Sequence, residues 1–475
     1  MRATAPSSAS PLLRPHLPPW LVIAMACLAS FMVVMDGSIV NVALPAMQRD
    51  LHLSVEAQQW VIDAYLLSFG GCMLLAARAG DLYGRRPVLL AGLFLFTLSS
   101  LAGGLADDAA WLLAARAVQG LGAAVLATSS MTLVMAATHH DQQARASALS
   151  LWAALNSAGF ALGVVIGGLL TEGVGWRWVM FVNVPVGLAL MAGIASSLLA
   201  PVAPTARPRL DVPGALTSTV GSALLVYGIT QSTARGWSSP LVSGALVLAL
   251  GMFVMFILIE QRSAHPLMRL SIFELPGLAA GNLLMLGLGA LLAASIYLIS
   301  TSLQQVAGYG ARETGWALLP MGSMLAAVRL LFTKAMGAGR ARRLPLGGAL
   351  LAAAGLAWLG VLPRHAAFLQ HVLGPTLLVG AGLGLLILAA THAVTSGVPA
   401  QDAGLASGVA NTSRQMGGAL GVAVLATLAG AIAHGQPAGI DGRQALLAGS
   451  HAAFFAAAGL ALLCGLVSLR LARPA

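Results

Sequence analysis

The stretch WLVIAMACLASFMVVMDGSIVNVAL (20–44) is mainly apolar and contains one ionisable side chain, Asp36. A membrane-spanning α-helix needs about 20 mainly apolar residues, so this stretch predicts a transmembrane helix. It has no clear cleavage site of small residues, and we interpret it as a retained helix rather than as a signal peptide. The proline-rich residues 1–19 before it would form a cytoplasmic N-terminal tail.

The composition of the whole chain points the same way. Of its 475 residues, 58% are hydrophobic and only 8% are charged, whereas soluble domains carry about 25% charged residues. This balance excludes a soluble enzyme, a disordered protein and a nucleic-acid-binding protein as descriptions of the whole chain. The formal net charge of +10 fits the basic cytoplasmic loops of a membrane protein. The three cysteines lie in apolar runs and predict no disulfide framework.

Apolar runs of membrane-spanning length recur along the chain, with short charged loops between them. We count fourteen, beginning near Trp20, Trp60, Pro87, Trp111, Ala146, Trp178, Val212, Leu241, Gly277, Gly315, Pro345, Val372, Gly404 and Ser450. With the N-terminus inside, most basic residues fall on the cytoplasmic side, and we count Arg414 among them. This bias predicts that both termini are cytoplasmic.

Two loops divide the chain into related halves. The turn RAGDLYGRR (78–86) and the turn KAMGAGRARR (334–343) are both basic and glycine-rich. Paired halves are how many secondary transporters are built. We therefore predict an all-α polytopic membrane protein with an N-terminal six-helix bundle (20–199), an inserted two-helix segment (200–276) and a C-terminal six-helix bundle with a short tail (277–475).

Sequence signatures of catalysis are missing from this chain. It contains no Gly-x-x-x-x-Gly-Lys-Ser/Thr loop for ATP, no nucleophile motif and no Cys/His cluster with metal spacing. We therefore expect no enzymatic activity, no cofactor and no metal. Energy would have to come from an ion gradient or a substrate gradient.

Three ionisable residues fall inside the apolar runs of the first half, and such residues are expensive in a bilayer and usually functional. Asp36 lies about 24 Å along the first helix at ~1.5 Å per residue. Asp63 and Arg116 lie at a similar depth in the second and fourth helices. We predict that the three form one buried polar network in the outer half of the bundle. A carboxyl group between apolar surroundings and a cation can change its protonation during transport.

Structural roles remain open for each of these charges. Asp36 could bond a helix backbone, and Asp63 could cap the second helix near its start. Arg329, inside the tenth apolar run, could extend its guanidinium to the cytoplasmic surface, or it could be a cation in the substrate cavity.

Several motifs, in order, resemble those of the fourteen-helix drug:proton antiporters of the major facilitator superfamily. The resemblance covers almost the whole chain. It rests on Asp36 with NVALP (41–45), Trp60 with AYLL (64–67), DLYGRR (81–86), RAVQGLGAA (116–124), WRW (176–178), FVNVP (181–185), QQVAGY (304–309) and NTSRQMGGALG (411–421).

The resemblance implies roles for individual residues. Asp36 and Asp63 would bind protons or cationic substrate, while Arg116 and Gln119 of the fourth-helix motif would tune that site. A cytoplasmic charge lock would hold the outward-open state, and its residues are Asp81, Gly84, Arg85 and Arg86. The arginines of this loop could equally be topological anchors on the cytoplasmic side. The loop departs from the family pattern at Ala77 and Leu82, which bears on the details of gating.

Glycines at four-residue spacing mark the fifth helix and allow another helix to approach closely. They are Gly159, Gly163 and Gly167, followed by Gly168. In the antiporters that the chain resembles, similar stripes lie where the two halves meet. Val164 stands where the antiporter pattern has a proline, so a plain packing role stays open.

A further set of side chains is predicted to line the substrate cavity. These residues are Met32, Asn41, Trp60, Tyr65, Gln304 and Gln305. Trp60 and Tyr65 could contact aromatic or cationic substrates through cation–π attraction, although Trp60 could also anchor the helix at the membrane interface. Met32 could provide an adaptable apolar wall or fill the core.

The sequence therefore predicts a proton-coupled exporter of amphipathic or cationic toxic compounds in the bacterial cytoplasmic (inner) membrane. Its partners would be a small-molecule substrate, protons and the lipid bilayer, with no nucleic acid. Whether a periplasmic adaptor takes part stays open. The alternatives are an exporter of one dedicated metabolite or siderophore and, from another class, a membrane receptor that does not transport.

Overall fold

The computed structural model describes residues 18–138, 141–196, 210–263, 266–275, 277–332, 344–395, 398–399, 402–437 and 440–471. This part of the chain is helical and contains no β-strand, so the predicted all-α class is confirmed. The described helices form fourteen consecutive segments, which we number α1 to α14.

The first six segments form the N-terminal bundle, and the next two form the inserted pair. They are α1 (Pro19–Asp50), α2 (Val55–Tyr83), α3 (Arg85–Gly104), α4 (Ala109–Ala137), α5 (Gln142–Gly173), α6 (Arg177–Phe181 and Asn183–Ser196), α7 (Val212–Arg235) and α8 (Pro240–Arg262).

The remaining six segments form the C-terminal bundle, which a short 3₁₀ helix (Leu270–Glu274) precedes. They are α9 (Leu278–Thr301, continued by the π-helical Ser302–Val306), α10 (Ala311–Phe332), α11 (Leu344–Leu359), α12 (the π-helical Phe368–Val372, then Leu373–Thr395), α13 (Ala403–His434) and α14 (Gly442–Leu471).

Twelve of the segments in the described residues are long and apolar enough to cross a membrane. The other two are α10, which carries Arg312 and Glu313 in its first turns, and α11, which is described over 16 residues. Together they account for the fourteen predicted spans.

Short polar residues set where several helices begin. Side-chain oxygens of Ser54, Asp108, Asp141 and Asp211 accept hydrogen bonds from backbone N–H groups in the first turns of α2, α4, α5 and α7. Such caps satisfy N–H groups that have no partner within the helix. Between α2 and α3 the chain turns at Gly84, whose φ of 92° favours glycine.

Within each bundle, long helices pack in pairs around apolar cores. In the N-terminal bundle α1 packs on α5, and α4 packs on both α2 and α3. In the C-terminal bundle α9 packs on α13, and α11 packs on α12 and α14. The two bundles meet along α5 with α10 and along α2 with α13.

The helices of the inserted pair pack on each other, and α7 also contacts α2 and α13. The Tyr227 ring of α7 lies 6.5 Å from the Trp60 ring of α2. α8 faces outward and exposes apolar side chains such as Val247 and Leu250. The inserted pair is therefore attached at the line where the two bundles meet.

Candidate functional site

Asp36 lies near the middle of α1 and is completely buried. Its carboxylate accepts three hydrogen bonds of 2.8 Å, from Arg116 Nη1, Gln119 Nε2 and Asn183 Nδ2. A buried ion pair is stable only when further hydrogen bonds satisfy both charges. The carboxylate of Asp36 meets that condition with donors from α4 and α6.

The Arg116 guanidinium is held from several sides. Its Nε donates to the Val61 carbonyl oxygen at 3.1 Å, its Nη1 donates to Gln119 Oε1 at 2.5 Å, and its centre lies 4.2 Å from the centroid of the Tyr65 ring. Gln119 also donates to Ser100 Oγ at 2.8 Å. This polar network joins α1, α2, α3, α4 and α6, so rearranging it requires the N-terminal bundle to rearrange.

Asp63 lies apart from that network. It is fully buried in α2, and neither carboxylate oxygen has a hydrogen-bond partner in the described part of the chain. The prediction that it joins Asp36 and Arg116 is therefore wrong in this conformation. Asp63 faces the C-terminal bundle instead, close enough to Tyr297 of α9 for the two groups to interact electrostatically.

Three residues of the site escaped the sequence analysis. Asn183 and Ser100 are ordinary polar residues by sequence, although Asn183 stands in the FVNVP motif. Arg414 was counted with the cytoplasmic basic residues, but it lies well inside α13 and is half-buried. Its charge acts on Tyr65, which also contacts Arg116. Arg414 therefore brings a charge of the C-terminal bundle close to the network of the N-terminal bundle.

The two bundles are held together at their outer ends by contacts that we call the outer seal. Ser300 Oγ donates to the Asn41 carbonyl oxygen at 3.0 Å, and Gln304 Nε2 donates to the Val42 carbonyl oxygen at 3.0 Å. Further contacts join Gln305 Nε2 to Gln48 Oε1 at 3.1 Å, and Arg312 Nε to Glu172 Oε1 at 3.5 Å. Under the predicted topology α1 runs outward, so the molecule is closed on its outer side.

Most residues predicted for the substrate cavity have other contacts. Asn41, Gln304 and Gln305 belong to the outer seal. Met32 is fully buried in the core of the N-terminal bundle, as the core-filling alternative expects, and its place in the cavity wall stays a prediction.

The two aromatic candidates of α2 point to different neighbours. Trp60 packs beside Tyr227 of the inserted pair, away from the Asp36 network. Tyr65 is buried and donates to the Val33 carbonyl oxygen at 3.3 Å. Tyr65 therefore belongs to the polar network.

The loop between α2 and α3 makes its described contacts within the N-terminal bundle. Arg85 lies 3.8 Å from Asp81, one helical turn away, and Arg86 donates to the Ala195 carbonyl oxygen at 2.6 Å. The cytoplasmic charge lock that would hold the outward-open state stays a prediction. The residues 334–343 and the side chain of Arg329 lie outside the described residues.

The glycine stripe of α5 serves two contacts. A Cβ atom at Gly163 would lie 2.9 Å from the Met35 carbonyl oxygen, and one at Gly167 would lie 2.6 Å from that of Ile39. Gly159 likewise faces Phe31 of α1. Gly168 instead faces α10, where its Cβ would lie 2.5 Å from the Ala311 carbonyl oxygen. The first three glycines therefore pack α5 against α1, and the fourth packs it against the other bundle.

Comparisons with known proteins agree with this architecture. Residues 26–422 match the family model described as Major Facilitator Superfamily. Over 419 residues the chain is 40% identical to the cephamycin export protein of Amycolatopsis lactamdurans, covering 88% of this chain and 86% of that protein. It is 39% identical over 419 residues to the puromycin resistance protein of Streptomyces alboniger, covering 86% and 81%. The crystal structure of a POT peptide transporter in complex with sulfate matches with a TM-score of 0.65 at 15% identity, covering 94% of this chain and 93% of that one.

Proposed function

The chain belongs to the Major Facilitator Superfamily, and from that membership we propose that it is a proton-coupled exporter of antibiotics and similar amphipathic compounds. It is a multi-pass protein of the bacterial inner membrane. Its relatives are named for cephamycin export and puromycin resistance. These names support small drug-like substrates and a transporter rather than an enzyme.

The observation that carries proton coupling is the completely buried Asp36–Arg116 pair. Removing the charge from one member of such a pair leaves the other uncompensated, which costs about 3–5 kcal/mol. Protonation of Asp36 therefore favours a different arrangement of α1, α4 and α6. A pH gradient contributes about 1.4 kcal/mol per proton and pH unit, so each unit shifts the balance between the two arrangements about tenfold.

The transport cycle follows from the closed outer seal. With this seal closed, the substrate binds from the cytoplasmic side while Asp36 is ionised and paired with Arg116. Opening outward then lets a proton reach Asp36 as the drug leaves. We propose that the bundles 20–199 and 277–475 move as the two halves of this cycle, with 200–276 as the inserted segment.

The test is drug-driven proton movement in proteoliposomes that carry a pH indicator inside. We expect the native protein to move protons when a lipophilic drug is added, and Asp36→Asn to abolish the signal. The matched control is Asp107→Asn, because the Asp107 side chain is 93% exposed on an outer loop. Proton movement that persists in Asp36→Asn would refute the coupling role.

Export of one dedicated metabolite is the second candidate. It is favoured by the 40% identical relative, whose name refers to the export of a single compound class. A panel of antibiotics of different charge and size distinguishes the two, because a dedicated exporter responds to one class only.

A further inference from the structure

One face of α2 leads from the outer surface to the buried Asp63. Glu56, Gln59 and Asp63 are spaced at i, i+3 and i+7, so they lie on the same side of the helix. Glu56 is partly exposed near the outer start of α2, Gln59 is buried, and Asp63 is completely buried. The three cover about 10 Å along the helix axis at ~1.5 Å per residue.

A narrow crevice opens along the outer part of this face, between α2, α7 and α13. Its walls include Glu56 and Gln59 of α2, Thr230 of the inserted helix α7, and Thr427 and His434 of α13. A hydrogen bond of 3.4 Å from Thr233 Oγ1 to the Thr427 carbonyl oxygen holds α7 against α13. The crevice has a volume of about 10 Å³, close to what one water molecule needs, so no drug can enter it.

Along this path, four buried oxygen atoms have no hydrogen-bond partner among the described residues. They are Gln59 Oε1, Thr427 Oγ1 and both carboxylate oxygens of Asp63. Buried polar groups are almost always hydrogen-bonded, either to protein or to ordered water. Beyond Gln59, the Tyr297 hydroxyl contacts the Gln59 side chain and interacts with Asp63. The path therefore presents hydrogen-bond acceptors that single water molecules are able to satisfy, from Thr427 and Gln59 inward to Asp63.

We propose that this crevice is a water-filled route by which protons from the outer medium reach Asp63 while the outer seal is closed. The inference rests on the proposed proton coupling and adds to it a proton path separate from the drug path. A hydronium ion would transfer one proton to an Asp63 oxygen, leaving a neutral carboxyl group and a water molecule. The proposed route also gives the inserted pair a role, since α7 forms one wall of the crevice.

The surroundings of Asp63 explain why a proton is bound there. An unpaired buried carboxylate is costly, and protonation removes its charge. The titratable groups that face the route are Glu56 on α2, His434 on α13 and Tyr297 on α9, while α7 contributes the neutral Thr230 and Thr233. The crevice is lined as far inward as Gln59, and Asp63 itself has no exposed surface, so the last step to Asp63 passes the buried side chains of Gln59 and Tyr297.

The first experiment measures access to Asp63 with the outer seal locked. The experiment starts from a variant without the native cysteines Cys27, Cys72 and Cys464. Two new cysteines, Gln48→Cys and Gln305→Cys, are then cross-linked with a short bifunctional maleimide, so that the outer seal cannot open. This reagent is too large to enter the crevice. Silver ion is then added on the outer side, where it can bind the thiol of Asp63→Cys. After denaturation, a thiol-reactive label measures how much of that thiol is still free. We expect silver to protect Asp63→Cys but not the control Thr376→Cys, which is fully buried in α12.

Labelling of Asp63→Cys equal to that of Thr376→Cys would overturn the route. Gln59→Cys, one turn closer to the surface, is the second reporter in case Asp63→Cys does not fold. Because this readout needs no transport, it separates the route from the proposed function.

The second experiment measures function in proteoliposomes with Gln59→Leu and Thr427→Val, against Thr376→Val as the matched control. We expect drug-driven proton movement to fall about tenfold, the factor for losing one hydrogen bond, while drug–drug exchange at equal pH is unchanged. Proton movement at the native rate in both variants would overturn the route. Absence of drug-driven proton movement in the native protein would instead refute the proposed coupling.

Discussion

At the scale of single residues, Asn183 is the most informative member of the Asp36 network. It is fully buried in α6 and donates to the same Asp36 oxygen as Gln119. A hydrogen bond to a charged group contributes about 1.5–3 kcal/mol. We therefore expect Asn183→Leu to lower the free energy of unfolding by about 2 kcal/mol and to impair drug efflux.

A double-mutant cycle with Asp36→Asn tests this interpretation, with thermal unfolding in detergent as the measurement. In the Asp36→Asn background the amide of Asn183 no longer meets a carboxylate, so Asn183→Leu should cost much less there. Strictly additive effects would show that the two side chains do not interact.

Arg414 supports a prediction about substrate charge. It lies in α13 and its charge reaches Tyr65 of the N-terminal bundle, so a substrate bound between the bundles would lie near a positive charge. We expect Arg414→Gln to reduce the efflux of anionic antibiotics more than that of cationic ones. Arg414→Lys, which keeps the charge, is the matched control in the same drug-accumulation assay. Equal losses for anionic and cationic drugs would contradict a charge-selective role.

The sequence predicts how deep each charged residue lies in the membrane better than it predicts the direction in which the side chain points. Counting residues along the helices placed Asp36 and Arg116 at compatible depths, and they pair in the structure. The same count placed Asp63 nearby, but it could not specify which way α2 is rotated. That rotation is set by packing against α4 and α13, and it turns Asp63 away from Arg116. Asn183 was missed because an uncharged amide in an apolar run gives no warning of its partner.

At the scale of the elements, the hydrophobic pattern predicted the number of helices well. It was least clear for α10, where Arg312 and Glu313 fall in the first turns and Pro320 lies inside the helix. This helix reaches the outer seal, so its polar start belongs to the contact between the bundles. The hydropathy signal for a membrane-spanning helix was therefore weakest at α10, which joins the two halves.

The glycine stripe of α5 gives a prediction at the same scale. A Cβ at Gly163 would lie 2.0 Å from Ser38 Oγ and 2.9 Å from the rigid Met35 carbonyl oxygen. Overpacking of this kind costs about 1–3 kcal/mol or more. We expect Gly163→Leu to lower the thermal unfolding temperature and to abolish efflux. Gly173→Leu on the same helix is the control, because nothing lies within 4 Å of its Cβ position. Equal stability of the two variants would exclude close packing of α5 on α1.

At the scale of the whole molecule, closure on the outer side combines the packing of α5 on α10 with a few polar contacts between the two bundles. Those contacts differ in how much they can contribute. The Glu172–Arg312 pair is substantially exposed, with side-chain exposures of 42% and 58%, and surface ion pairs contribute about 0–1 kcal/mol. Gln304 is partly buried and donates both to the Val42 carbonyl oxygen and to Ser300 Oγ. Gln304 is therefore the stronger contact of the outer seal.

This difference predicts how the closed conformation responds to mutation. Gln304→Leu removes the hydrogen bond that joins Gln304 to the Val42 carbonyl oxygen of the other bundle, so we expect it to increase the outward-open population about tenfold, the factor for one lost hydrogen bond. Glu172→Ala should change that population little. Spin labels at Asp107 and His365, on outer loops of the two bundles, report the opening as a longer distance in pulsed electron paramagnetic resonance. A larger shift for Glu172→Ala than for Gln304→Leu would mean that the exposed ion pair, and not the buried amide, keeps the outer side closed.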